Sequence, residues 1–389
     1  MSLFLTRQPV INRQGKIIAT RLCIYDRGGN AAAAIDALND LTDSWPQGER
    51  GLFVHFDALP GGASLLDWVA PANVTVELPG APFGDAQAAG FVAALRESGL
   101  SLCYHFDEDA AQVLAGGVRF RFIGFDATSF SPAQLQALAA KTESSGIPLA
   151  LNVEGPQEFL ACLDAGMSAA AGWFVKRPAE APAKQLNASQ AHIVRVLNLV
   201  RRNADVGEIE TALKQDVALS YKLLRYINSV GFGLSCEVQS FKHAVAILGY
   251  DKLNKWLSLL LVTASKDPLA PTLMHTAVAR GRLMEQLGEG LVDPSEYDNL
   301  FITGAFSLLD LLLGVEMEQA LDAMYLPPPI TDALLGGDGL YAPFLDLARA
   351  CEDGGGAALA AKADLLGLSS ERVNRAHLAA LAFADAMEY

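Results

Sequence analysis

Long apolar runs are missing from this chain. The nearest approach to a membrane helix, residues 256–264, falls far short of the roughly 20 apolar residues that a bilayer core demands. The first thirteen residues contain Arg7 and no apolar stretch ahead of a small-residue cleavage site, so they do not read as a secretory signal. The expectation is a cytoplasmic protein with no membrane partner. Cysteine is scarce and scattered: Cys23, Cys103, Cys162, Cys236 and Cys351 form no C-x-x-C pair and no short His/Cys spacing of the zinc-binding kind. They read as small buried hydrophobes in a reducing compartment. Basic residues are in deficit, 29 Lys and Arg against 44 Asp and Glu, for a formal net charge of -15. That balance argues against a broad electrostatic footprint on nucleic acid or anionic lipid.

Apolar residues make up 51% of the chain and charged ones 19%, a composition suited to large buried cores rather than disorder. A length of 389 residues exceeds what one core usually organises, which predicts two domains.

The pattern changes character along the chain. Short β-rich runs at 52–56, 74–78, 100–105, 120–125, 148–151 and 173–175 read as buried strands. Helical stretches at 31–41, 86–98, 107–115, 132–144 and 156–165 lie between them. This alternation predicts parallel β/α units, closed as a barrel or doubly wound. Ser131-Pro132 marks one helix start, a hydroxyl cap followed by a proline whose missing N–H would have been an orphan. A Pro- and Ala-rich segment, KRPAEAPAKQLN, then reads as a linker, and beyond it only helical spacing remains. The predicted fold is α/β plus all-α. A barrel domain spans 1–178, a linker 179–188 and a helical domain 189–389.

Residues 7–27, RQPVINRQGKIIATRLCIYDR, resemble the opening of EAL domains, the cyclic-di-GMP phosphodiesterase type, and the resemblance runs on to Pro178. It implies a modified TIM-like (β/α) barrel, shortened because few residues separate Arg27 from the strand at 52. In that family carboxylates and an Asn at the barrel mouth hold divalent metals. Hard cations want anionic oxygen, so each matching position is informative. The signature Glu falls on Arg21, the Asn on His55, the Asp pair on Tyr104 and His105, the Lys on Gly124, a later Glu on Leu151 and the closing Gln on Ala171. Glu77, Asp126 and Glu154 remain, and are read as carboxylates making loop hydrogen bonds or helix caps. His55 and His105 suggest a softer metal pair but lack a third ligand, so they are read as buried polar side chains.

The run ALKQDVALSYKLLRYINSVGFGLSCEVQSFKHAVAILGYDKLNKWL at 212–257 resembles the HDOD module, an all-helical relative of the HD phosphohydrolases. Leu219, Leu223, Leu224 and Ile227 form its apolar stripe. The metal-binding His-Asp pair of HD enzymes falls within Ala305-Phe306-Ser307-Leu308, leaving His275 and Asp310 as isolated polar residues. The resemblance as a whole implies an EAL–HDOD signalling protein that has lost its metal ligands. The expectation is therefore no enzyme, no cofactor and no metal, with action through unknown protein partners in cyclic-di-GMP signalling. The alternative is a metal-independent cyclic-di-GMP receptor with Arg21 on a phosphate, and an active phosphodiesterase ranks last. Homodimerisation is a further expectation from the family.

Overall fold

The computed structural model describes residues 3–26, 31–56, 65–78, 86–107, 114, 119–176, 186, 188–215, 241–262, 269–352 and 355–387. The HDOD-like run at 216–229, most of the 107–115 helix and nearly all of the linker lie outside the described residues.

Eight strands close into one barrel in chain order: β1 (Leu3–Asn12), β2 (Ile17–Asp26), β3 (Gly51–Phe56), β4 (Val74–Leu78), β5 (Ser101–His105), β6 (Phe122–Asp126), β7 (Ile147–Leu151) and β8 (Ala169–Ala171). From β2 to β8 every neighbouring pair is parallel, whereas β1 runs antiparallel to both β2 and β8. Full closure shows that the short spacing after Arg27 removes no strand. Strands β3 to β7 are short apolar runs because parallel barrel strands are covered on both faces. Helices α1 (Ala31–Asp40), α2 (Ala86–Glu97), α3 (Pro132–Thr142) and α4 (Pro156–Asp164) supply the outer layer. The start of α3 is fixed by a capping box, in which Ser131 and Gln134 satisfy each other's backbone N–H groups.

The last strand differs from the sequence expectation. Residues 173–175 were predicted as a strand, but the strand is Ala169–Ala171 and a 3-10 turn covers Phe174–Lys176. Three alanines carry little β propensity. They pair here because the small side chains of Ala169 and Ala171 fit the barrel interior beside Leu149 and Val10.

Two compact units emerge, and their division departs from the 1–178 and 189–389 scheme. The barrel unit comprises Met1–Ala179 and also Ala350–Leu378. Within it, β1 is held by the C-terminal segment: the Leu5 N–H donates to Asn374 (3.0 Å), Asn374 donates to the Leu3 carbonyl (2.8 Å), and Arg7 pairs with Glu352 (2.8 Å). Lys176 makes a second ion pair to the same Glu352 (2.8 Å). Composition could not reveal this, because the returning segment is helical like the residues before it.

The second unit, Glu180–Arg349 with Ala379–Tyr389, is helical. Its described elements include α5 (Ala188–Arg201), α6 (Val206–Lys214), α7 (Phe241–Val262), α8 (Ala270–Gly288) and α9 (Tyr297–Phe306). Helices α8 and α9 cross closely through Gly281 and Gly304, where a Cβ on Gly304 would lie 2.7 Å from the Gly281 Cα. Among the described residues no helix is long and apolar enough to cross a membrane.

Candidate functional site at the barrel mouth

Strand periodicity builds the site. The barrel interior is lined by Val10, Ala19, Phe53, Cys103, Leu149, Leu151, Ala169 and Ala171. Side chains two residues apart on a strand share a face. Two positions beyond Ala19, Phe53, Thr75 and Cys103 stand Arg21, His55, Glu77 and His105. A polar layer therefore sits above the apolar one, towards the C-terminal ends of the parallel strands.

Glu77 is the hub of this layer and is 0% exposed. Arg21 grips it in a fork, Nε to Oε1 at 2.7 Å and Nη2 to Oε2 at 2.8 Å. His105 Nε2 lies 2.9 Å and His55 Nδ1 3.1 Å from Oε2. The two imidazole rings are stacked, 5.5 Å apart and within 5° of parallel. Burial alone would push the Glu77 carboxyl upward. The Arg21 charge and the two histidine contacts outweigh it and hold the group well below the usual carboxylate range. Burial would likewise lower Arg21, but the Glu77 charge and hydrogen bonds raise it above its ordinary value.

Each Arg21 nitrogen already meets an acceptor. Nε and Nη2 serve Glu77, and Nη1 faces Gln8 Oε1 at 3.0 Å and Asn152 Oδ1 at 3.5 Å. Gln8 and Asn152 are site residues that sequence reasoning passed over. Gln8 stands directly opposite Arg21 in the β1–β2 register. Asn152, at the end of β7, has φ 57°, a left-handed conformation that Asn tolerates better than most residues. Position 8 was visible in the RQPV run, but its pairing with Arg21 depends on the hairpin register.

The remaining predicted positions separate. Asp126 accepts from the Thr128 N–H (2.9 Å), its hydroxyl (2.7 Å) and Asn152 (3.1 Å). Gly124 leaves room for its neighbours, since a Cβ there would meet Leu151 Cδ1 at 2.6 Å and His105 Cδ2 at 3.4 Å. Leu151 and Ala171 belong to the apolar lining. Tyr104, on the opposite face of β5 from His105, stacks on Phe120 and donates to Asp107 (3.3 Å). Glu154 is exposed, with its backbone N–H on Glu158. In the helical unit His275 contacts Asp385 at 2.7 Å, Ser307 accepts from Arg280 at 2.7 Å, and burial raises the Asp310 carboxyl. The described mouth residues do not fit a pair of hard cations: Glu77 is saturated by Arg21 and two imidazoles, and Asp126 by Thr128 and Asn152.

Comparison with known proteins adds five matches. Residues 186–310 match the HDOD domain family. Over 208 residues, 52% of this chain and 48% of the relative, the chain is 29% identical to cyclic di-GMP phosphodiesterase CdgJ of Vibrio cholerae. It thus spans about half the length of that relative. Over 379 residues, 90% of this chain and 91% of the relative, it is 24% identical to the uncharacterized protein YuxH of Bacillus subtilis. Among solved structures, the Klebsiella pneumoniae BlrP1 calcium/cy-diGMP complex aligns with 46% of this chain and 56% of its own, at 15% identity and a TM-score of 0.37. The Xanthomonas citri FimX EAL domain in complex with c-diGMP aligns with 45% and 87%, at 15% identity and 0.35. The phosphodiesterase name of the Vibrio relative overturns the expectation that the chain is no enzyme.

Proposed function

We propose, for a chain with the EAL–HDOD order of domains, a role in cyclic-di-GMP signalling carried out through contact with other proteins. The HDOD match at 186–310 and the Vibrio relative support the signalling assignment. The observation that favours protein contact over a phosphate-reading Arg21 is the fork onto Glu77. A guanidinium whose Nε and Nη2 are held on a buried carboxylate keeps only Nη1, itself facing Gln8 and Asn152, and one Nη2 N–H to offer a phosphate.

The deciding experiment is calorimetric titration of the purified full chain with cyclic-di-GMP, with and without magnesium or manganese, followed by product analysis. Alongside it, in-cell crosslinking compares the full chain with one carrying charge reversals on the HDOD surface. Crosslinked partners that are lost in the variant are the expected result, and the titration with product analysis reports separately on nucleotide binding and hydrolysis. Micromolar binding moves the function to nucleotide reception, and a linear dinucleotide product moves it to hydrolysis.

A further inference from the structure

We infer that residues 325–340 of the helical unit form a docking surface for a basic partner protein, an assignment that rests on the protein-contact reading above and supplies the partner's chemistry. These residues lie beyond the HDOD match at 186–310. Charge sets the region apart. From Leu283 to Ala348 the chain carries twelve Asp and Glu and not one Lys, Arg or His. Asp322, Asp332 and Asp338 are exposed, and among the described residues none of the three enters an ion pair.

Apolar exposure coincides with the acidic stretch. Tyr325 is 67% exposed, Leu335 51% and Leu340 52%, and Pro327 and Pro328 are exposed with them. Tyr325 and Pro327 lead into the short helix Pro328–Leu334, and Leu335 follows its last residue. The next loop doubles back along that helix. The Gly337 N–H donates to the Asp332 carbonyl (2.7 Å), and a Cβ on Gly339 would stand 3.6 Å from the Pro329 carbonyl and 3.4 Å from the Asp332 Cβ. Leu340 is thereby brought beside the proline end of the helix, with Asp332 and Asp338 next to it.

The loop is braced before any partner arrives. Pro327 stands at φ -58° and ψ 139°, a polyproline II conformation that its ring enforces. The Tyr325 N–H donates to Asn198 Oδ1 (2.8 Å), and the Tyr325 carbonyl accepts from Arg201 Nη1 (3.1 Å), which ties the loop to α5. Little chain entropy remains to be lost on docking. Arg201 and Arg202 do not neutralise the acidic edge, because their guanidinium groups bond the Tyr325 and Asn198 carbonyls.

An apolar patch edged by unpaired carboxylates discriminates among occupants. Nucleic acid and anionic lipid are repelled. A second copy docked through the same patch about a two-fold axis would set like charges face to face. A basic protein with an apolar cleft meets both features: the cleft buries Tyr325, Pro327 and Leu340, and its Lys or Arg side chains reach Asp332 and Asp338.

The test places a photo-crosslinking benzoylphenylalanine at Tyr325 or Leu340 of the full chain in cells, with exposed Leu160 in the barrel unit as the control position. Adducts at 325 and 340 but not at 160, to a protein whose crosslinked face is rich in Lys and Arg, are expected. In vitro, an Arg/Trp peptide should bind the purified chain while Gln/Trp and Glu/Trp peptides of equal length do not. Asp332→Lys with Asp338→Lys should remove the adducts and weaken the Arg/Trp peptide by about tenfold, with an unchanged thermal midpoint. Glu97→Lys with Glu143→Lys, an equal change in charge on the barrel unit, should do neither. Adducts with a second copy, lipid, nucleic acid or an acidic protein, or equal weakening by the two pairs of reversals, would overturn the assignment. Protein crosslinks confined to other faces overturn the docking surface alone, and absence of protein crosslinks on every face overturns the protein-contact reading with it.

Discussion

Replacing Arg21 with Met removes the only guanidinium that touches Glu77 among the described residues, and leaves a carboxylate of zero exposure facing two imidazoles. Arg21 is itself only 5% exposed, so both charges have been taken out of water. Breaking such a pair from one side costs about 3–5 kcal/mol, because the surviving charge stays buried without its partner. Arg21→Met should therefore lower the stability of the barrel unit by that amount at pH 8. Glu77→Leu should cost a similar amount, since Gln8 and Asn152 are neutral and cannot balance the guanidinium. The double variant Arg21→Met/Glu77→Leu removes both charges and should recover most of the loss, so that the coupling in a double-mutant cycle exceeds either single loss. Urea unfolding read by tryptophan fluorescence suits the measurement, because Trp45, Trp68 and Trp173, three of the four tryptophans, belong to the barrel unit. The unfolding of the two units is fitted separately. Single variants that lose less than about 1 kcal/mol, or a double variant as unstable as the sum of the singles, would refute the reasoning.

Two further outcomes follow from the packing. His377 is fully buried, with Nδ1 3.1 Å from the Leu5 carbonyl, and burial together with the nearby Arg7 charge lowers it from 6.5 to about 3. Between those values the unfolded chain binds a proton that the folded chain refuses, so stability falls as pH drops from 7.5, by about 2 kcal/mol at pH 5. His377→Leu should flatten that part of the urea-midpoint profile, and an unchanged pH slope would count against it. In the helical unit, Gly304→Val forces a branched side chain against Gly281 and should cost about 3 kcal/mol or more, seen as a lowered thermal midpoint. A midpoint within a degree of the parent would show that the helices separate at little cost.

Much of the barrel was legible because parallel strands announce themselves as short apolar runs, and the boundaries at β3, β4 and β7 lie within a residue of the sequence reading. The last strand was misplaced because its three alanines owe their pairing to the space available in the barrel, a tertiary property. The positions of Arg21, His55, Glu77 and His105 were visible one at a time. Their meeting was not, since it depends on strand order and on a shared inward face. Treating Glu77 as a loop hydrogen-bonder missed that an Arg 56 residues earlier stands next to it. Gln8 and Asn152 went unseen for the same reason: an amide gains significance only from what it touches.

The attachment of Asn374 and His377 to β1 bears on how the protein is made. Strand β1 leaves the ribosome some 370 residues ahead of these partners and makes the contacts only after they have followed it. About 200 residues separate the close of the barrel near Lys176 from Asn374. At roughly 5–20 residues per second, the backbone of β1 waits some 10–40 seconds for those partners. During that interval residues 180–349 emerge, but the helical unit also takes in Ala379–Tyr389, so neither unit is finished until the segment that follows Arg349 has been made.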